Sequence, residues 1–113
     1  MRNKVQKSRC VKLSLDKFDD VVKTYDSLQE ATAKMLSEDK QLTEIRCNVD
    51  CGKIDGIAYT TDFLCKRKDG TYEVYECVYR KYLKKPKTMK LLDESQKFWN
   101  ARGVIWGLVI DKE

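Results

Sequence analysis

The stretch TTDFLCKRKDGTYEVYECVYRK, residues 60–81, decides the fold. Its two halves are rich in β-branched and aromatic residues and flank an Asp-Gly pair, a pattern that predicts a β-hairpin. Each predicted strand carries one carboxylate among apolar and aromatic neighbours: Asp62 in the first strand and Glu76 in the second. These two acidic residues are the first candidates for a functional site.

The length of the hairpin loop determines whether the two carboxylates meet. A three-residue loop from Lys68 to Gly70, with Gly70 in the left-handed conformation, places Asp62 across from Glu76 on one face of the sheet. Opposed side chains lie about 5 Å apart, where like charges destabilise the pair. A shared Mg²⁺ would compensate, because this ion favours one or two carboxylates together with water and phosphate oxygens. A loop of two or four residues would instead point the carboxylates to opposite faces, as ordinary edge charges.

A helix is predicted before the hairpin, over residues 27–38. Ser27 is the expected N-cap, and Glu30, three residues on, completes a capping box. The predicted apolar stripe comprises Leu28, Ala31, Met35 and Leu36. Glu30 lies away from that stripe on a helical wheel, which favours a capping role over a role in a site.

A second helix and a further strand are predicted after the hairpin. Pro86 suits the first turn of a helix over residues 86–101, and Arg102-Gly103 supplies its C-terminal stop. Residues 104–110, VIWGLVI, are continuously apolar, as expected of a strand buried on both faces. A further strand is predicted at residues 43–48. Residues 14–25 are open between a short helix capped by Ser14 and a first strand at VVKTY, residues 21–25. The order of elements predicts an α/β fold, with a mixed sheet and a central hairpin flanked by helices.

Length and composition predict one soluble domain over residues 14–113, preceded by a basic, partly ordered arm over residues 1–13. No apolar run reaches the length of a membrane span, and the arm lacks the apolar core of a signal peptide. The five cysteines are irregularly spaced, which argues against a disulfide framework and favours a reducing cytoplasm. The chain contains no histidine, so Ser-His and Cys-His catalysis and histidine metal sites are excluded. A four-cysteine zinc site is less favoured than small buried hydrophobic residues.

A basic segment over residues 80–90, RKYLKKPKTMK, follows the hairpin and carries six positive charges in eleven residues. Such a segment suits a polyanionic partner, and its position beside the carboxylates favours DNA over a merely solvated helix entry. The candidate DNA-binding residues are Arg80, Lys81, Lys84, Lys85 and Lys87.

Several stretches together resemble the N-terminal nuclease domain of TnsA-type transposon endonucleases, within the PD-(D/E)xK superfamily. They are YDSLQEATAKML, AYTTDFLCKRKDG, YECVYRKYL, KLLDESQKFW and GVIWGLVID, within residues 21–111. The resemblance implies a restriction endonuclease-like core that hydrolyses phosphodiester bonds with Mg²⁺ or Mn²⁺. It assigns Glu30 to the helix carboxylate, Asp62 to the metal-bridging aspartate and Glu76 to the acid of the Glu-x-Lys motif. Asp62 and Glu76 are thus the expected metal ligands.

The sequence departs from this pattern at Val78, where the motif has a lysine that stabilises developing negative charge. Arg80, two residues further on, or Lys90 on the next helix could supply the charge from another position. Alternatively, catalysis is lost, and the domain binds DNA or a protein such as a transposase or nuclease subunit, in a mobile element, a phage or a defence system. A chain that cuts both strands needs two active sites, which implies a homodimer or a partner nuclease.

Overall fold

A computed structural model describes residues 10–54 and 56–112 of the 113-residue chain, leaving the side chain of residue 54 aside. The first nine residues of the predicted basic arm therefore lie outside the described residues. The elements, in chain order, are β1 (Val11–Leu13), β2 (Val22–Thr24), α1 (Ser27–Ser37), β3 (Leu42–Ile54), β4 (Ile57–Arg67), β5 (Tyr72–Val78), a 3-10 turn (Arg80–Tyr82), α2 (Pro86–Asn100) and β6 (Ile105–Ile110).

The hairpin of β4 and β5 forms with the predicted three-residue loop. The backbone N–H of Arg67 donates to the carbonyl oxygen of Thr71 at 2.8 Å, and the N–H of Gly70 donates to the carbonyl of Arg67 at 3.0 Å. Gly70 has φ +89°, the left-handed conformation that this loop requires. Pairing between the strands then runs from Lys66 opposite Tyr72 to Phe63 opposite Tyr75.

The sheet is mixed, as predicted, with strand order β3-β4-β5-β6. The pairs β3–β4 and β4–β5 are antiparallel, and β6 runs parallel to β5. A parallel pair needs a crossover connection, and the segment containing α2 provides it between β5 and β6. The predicted α/β class is confirmed, and this arrangement is compatible with a nuclease-like core.

Two strand predictions need correction, and one open choice is decided. The strand predicted at residues 43–48 extends over Leu42–Ile54, with register shifts between Leu42 and Glu44 and between Asp50 and Lys53. Of the two alternatives for residues 14–25, the strand is confirmed: Val22–Thr24 pairs with β1 in a small antiparallel sheet. The strand predicted to be buried on both faces lies at the edge of the main sheet, where Ile105 is 62% exposed and the rest of β6 is half-buried. The apolar run of β6 did not reveal that only one of its two edges would be hydrogen-bonded to another strand of the main sheet.

The capping box predicted at Ser27 and Glu30 is wrong by one residue. Asp26 is the N-cap of α1, and its carboxylate accepts a hydrogen bond from the N–H of Gln29 at 2.8 Å. Gln29 reciprocates, since its side-chain oxygen accepts from the N–H of Tyr25 at 2.9 Å. The buried face of the helix also differs from the predicted apolar stripe. It comprises Gln29, Thr32, Ala33 and Leu36.

The main core lies between α1 and the sheet. Ala33 and Leu36 pack in one cluster with residues of every strand from β2 to β5, including Phe63 and Cys77. A smaller cluster joins Tyr59 of β4 to Leu91 of α2. The hairpin of β4 and β5 therefore packs against α1 in the first cluster and against α2 in the second. In the part of the chain that is described, no helix has the length and apolar character to cross a membrane.

We expect Gly70→Ala to destabilise the domain by about 1–2 kcal/mol, because a side chain disfavours the left-handed conformation. A Cβ at this position meets no atom within 4 Å, so the cost arises from the backbone alone. Gly70→Asn is the matched control and should cost less, since asparagine tolerates this conformation. Urea unfolding measures both variants, and wild-type stability in Gly70→Ala would contradict the assigned loop.

Candidate active site

The strands β4 and β5 part at the two carboxylates. Backbone pairing between them ends at Phe63 and Tyr75, one residue short of Asp62 and Glu76. Beyond that point a side chain replaces the backbone as the hydrogen-bond acceptor. The carboxylate of Asp62 accepts a hydrogen bond from the backbone N–H of Cys77 at 2.7 Å. Asp62 is only 1% exposed, so its charge is held inside the fold by hydrogen bonds.

The other oxygen of Asp62 is contacted by α1. The side-chain nitrogen of Gln29 donates to Asp62 Oδ1 at 3.2 Å and to Asn48 Oδ1 of β3 at 2.9 Å. Gln29 is fully buried, and its own oxygen is bound by the N–H of Tyr25. The first turn of α1 is therefore fixed to the parting strands through one buried amide.

Glu76 is held by hydroxyl groups. Glu76 Oε2 accepts from the hydroxyl of Ser95 on α2 at 2.7 Å and from the hydroxyl of Thr61 at 3.2 Å. Thr61 accepts in turn from the indole N–H of Trp99 at 2.8 Å. Its remaining contact, 3.2 Å to the sulfur of Cys51, suits donation by the thiol, because the single proton of Thr61 is directed to Glu76. One threonine thus joins β3, α2 and the acidic pair.

Burial and charge act together on Glu76, which is 1% exposed. Removal from water, followed by the charge of Asp62, raises the pKa of Glu76 from 4.5 to about 7. Both effects disfavour the ionised form. The folded domain therefore favours either a proton on Glu76 or a cation bound beside its carboxylate.

Tyr59 also lies beside Glu76. Burial, and then the charge of Glu76, raise the pKa of the Tyr59 phenol. The residue is 4% exposed, and its hydroxyl makes no hydrogen bond of acceptable geometry to any residue within 10–54 and 56–112. An orphaned buried hydroxyl next to two carboxylates is unusual, because such groups normally find a partner.

The predicted helix carboxylate does not join Asp62 and Glu76. Glu30 forms an ion pair with Lys34, one turn later on α1, at 3.0 Å, and 31% of its side chain is exposed. Gln29, one residue earlier, occupies the position that faces Asp62. The helix therefore presents a neutral amide to the site.

Position 78, where the nuclease motif has a lysine, holds a buried apolar side chain. Val78 is 2% exposed and packs as a core residue of β5. Arg80 begins the 3-10 turn, where its backbone N–H donates to the carboxylate of Asp111 at 2.6 Å and its Nε donates to the Asp111 carbonyl at 3.2 Å. Lys90 lies on the exposed side of α2, away from the buried face that carries Ser95 and its neighbours. Arg80 is thus directed to the end of β6.

The basic segment forms an exposed strip between β5 and α2. Its five candidate DNA-binding residues are all exposed, namely Arg80, Lys81, Lys84, Lys85 and Lys87. Lys81 and Lys85 lie over the ring of Tyr82, with nitrogen-to-centroid distances of 5.2 and 5.0 Å. These cation–π contacts hold two lysines along one surface, so the strip presents an ordered set of positive charges.

The donor set of the site fits a hard divalent cation. Two buried carboxylates, and a tyrosine hydroxyl that forms no hydrogen bond of full geometry within the described residues, match the oxygen ligands that Mg²⁺ and Mn²⁺ prefer. Asp62 and Glu76 would hold the ion, although no group of three or more cysteine, aspartate or glutamate side chains suited to a metal occurs among the described residues. The five cysteines carry free thiols.

The sequence pointed to the two carboxylates but not to the groups that hold them. Gln29, Thr61 and Ser95, which bind Asp62 and Glu76, were not among the predicted site residues. One signal was available: Ser95 is a polar residue on the apolar face of α2, and it is fully buried. A buried serine on such a face indicates a polar partner opposite it.

The fold and site define an α/β domain of the nuclease type with an acidic centre at a parting hairpin. Residues 29–111 match the family described as TnsA-like endonuclease N terminal, and the chain belongs to this family. The resemblance stated from the sequence is thereby confirmed, and a nuclease-like, transposon-associated function is supported. No curated protein matches the chain.

We expect the stability of the domain, measured in EDTA, to fall as the pH rises from about 4.5 to about 7. Glu76 keeps its proton in the folded state over this range and has lost it in the unfolded state, so the folded form is favoured at the acidic end. Glu76→Gln should remove this dependence, on the order of 1–3 kcal/mol, and be at least as stable as wild type at pH 8.

Glu44→Gln serves as the control, because half of the Glu44 side chain is exposed. Urea unfolding at pH 5 and pH 8 compares the three proteins. If wild type and Glu76→Gln showed the same change between these pH values, Glu76 would not be the buried group assigned here.

Proposed function

We propose that this domain is a metal-dependent DNA endonuclease that hydrolyses phosphodiester bonds in association with a mobile element. The observation that carries the proposal is the burial of Asp62 and Glu76 together where β4 and β5 part. Keeping two like charges out of water is costly unless a cation or a proton joins them. Family membership supplies the DNA substrate and the transposase partner as the expected context.

The chain's own groups position the acidic pair. The N–H of Cys77 and the amide of Gln29 fix both oxygens of Asp62, while Ser95 and Thr61 fix one oxygen of Glu76. A bound Mg²⁺ or Mn²⁺ would supply Lewis-acid activation of the phosphodiester and lower the pKa of a water molecule. The lysine strip would bind the DNA backbone next to this centre, through contacts that position the duplex without reading its sequence.

A second candidate function is a catalytically silent subunit that binds DNA or a transposase. Two observations favour it: Val78 fills the lysine position with a buried apolar side chain, and Gln29 presents an amide to Asp62 from α1. In that case the hydrogen-bonded acidic pair would serve the fold alone, and the basic strip would carry the function.

Double-strand cleavage by the first candidate would require a second copy or a partner nuclease.

We expect wild-type protein to nick supercoiled plasmid in Mn²⁺, and Asp62→Asn and Glu76→Gln to reduce nicking to the level seen in EDTA. Asp93→Asn is the matched control, because Asp93 is an exposed acid on α2 that pairs with Lys97, one turn later on the same helix. Gel electrophoresis of the plasmid gives the readout. Absence of nicking by wild type, with DNA binding intact, would favour the silent subunit, and nicking gained by Val78→Lys would then identify the missing group.

We expect the triple variant of Lys84, Lys85 and Lys87 to Gln to bind duplex DNA more weakly and with less salt dependence. Each lost phosphate contact should lower the slope of log affinity against log salt by about 1. Fluorescence anisotropy over a salt series measures this slope. The control replaces Lys34, Lys66 and Lys97, which make ion pairs elsewhere, and changes the net charge equally. Equal slopes for the two triple variants would exclude the strip as the DNA-binding surface.

A further inference from the structure

Tyr59 is the one buried polar group at the acidic centre that the hydrogen bonds described above leave without a partner. Its hydroxyl lies near enough to Glu76 and Ser95 to interact with both, but it forms no hydrogen bond of full geometry to any group in residues 10–54 and 56–112. The hydroxyls of Thr61 and Ser95, by contrast, both donate to Glu76. Leaving a buried donor unpaired costs free energy. An oxygen atom that enters the site and accepts a hydrogen bond from Tyr59 would remove this cost.

Two observations place the Tyr59 side chain at this centre. Tyr59 and Thr61 are two residues apart on β4, so they share one face of the strand, and Thr61 donates to Glu76 at 3.2 Å. Tyr59 also packs against Leu91, which lies one helical turn before Ser95 on α2. The ring therefore fills the space between β4 and the same helix face that contacts Glu76.

Tyr59 also has the chemistry of a hydrogen-bond donor. A phenol hydroxyl carries one proton that it can donate, so Tyr59 offers one neutral O–H to an oxygen atom beside the carboxylates. A lysine in the nuclease motif offers an N–H to such an oxygen, and Val78 cannot.

We propose that the Tyr59 hydroxyl donates a hydrogen bond to the oxygen ligand that enters the Asp62–Glu76 site together with a divalent cation. This inference rests on the proposed function, because it requires the two carboxylates to hold a cation. The oxygen ligand is a water molecule or a phosphate of DNA, and the two sources share the same acceptor chemistry. Tyr59 then supplies the donor, though not the positive charge, that is missing at position 78.

Tyr59→Phe tests the inference by removing one oxygen atom while keeping the ring against Leu91. Tyr75→Phe is the matched control, because the Tyr75 hydroxyl has a partner, Glu73, at 2.6 Å. In EDTA, we expect Tyr59→Phe to be as stable as wild type or more so, since an unpaired buried hydroxyl is lost. Tyr75→Phe should be less stable than wild type. Urea unfolding gives this comparison without any cation.

Cation binding is then measured by calorimetry and by the electron paramagnetic resonance signal of free Mn²⁺. We expect Tyr59→Phe to bind Mn²⁺ about ten-fold more weakly than wild type, as is typical when a group hydrogen-bonded to the coordination sphere is removed. Tyr75→Phe should bind as wild type does. A parallel measurement follows the affinity for duplex DNA by anisotropy in Ca²⁺, and so does not depend on turnover.

The two arms distinguish the source of the oxygen. Weaker binding of Mn²⁺ alone identifies water, whereas a loss confined to DNA in the presence of the cation identifies phosphate. Unchanged affinities in both arms, with wild type binding Mn²⁺, would overturn the role of Tyr59 and leave the proposed function standing. Failure of wild type to bind Mn²⁺ would overturn both. A loss of stability in EDTA with unchanged affinities would make Tyr59 a structural residue only.

Discussion

The hydrogen bond from the Cys77 amide to Asp62 is the interaction on which the arrangement of the site depends. At this point β4 stops pairing with β5, and without a substitute acceptor the buried amide of Cys77 would be left unsatisfied. A carboxylate supplies that acceptor and opens a gap between two adjacent strands without disrupting the sheet. The other oxygen of Asp62 accepts a hydrogen bond from Gln29 of α1, and Glu76 accepts one from Ser95 of α2. The site is therefore built where the sheet is locally opened and both helices reach it.

The sequence predicted the hairpin and its register because they depend on local chemistry. An Asp-Gly pair between strand-forming residues admits few loops, and Gly70 supplies the left-handed conformation of one of them. The α/β order and the crossover helix were also predictable from periodicity and from Pro86. The edge position of β6 was not, because the same apolar run suits a central strand of a parallel sheet and an edge strand covered on one side only.

The supporting groups of the site could not be predicted by hydrophobic periodicity. The stripe drawn through Leu28 and Met35 is more apolar than the true buried face, yet Met35 is 57% exposed and Gln29 is fully buried. Polar partners from β3 and β4 make the burial of Gln29 favourable, and these partners become neighbours only in the folded chain. Glu30 was assigned by motif to a place that its neighbour occupies, because the N-cap is Asp26 and the helix begins one residue away from the expected frame.

The short bond at Cys77 has a practical consequence for spectroscopy. Hydrogen bonds from backbone amides to ionised carboxylates are short and strongly polarised, and an amide proton in such a bond resonates far from its neighbours. At 2.7 Å, the Cys77 amide is in this position. One resonance in a nitrogen–proton correlation spectrum therefore acts as an internal gauge of the electron density on Asp62. In protein labelled uniformly with nitrogen-15, it would register a change of charge at the centre of the domain without any amino-acid substitution.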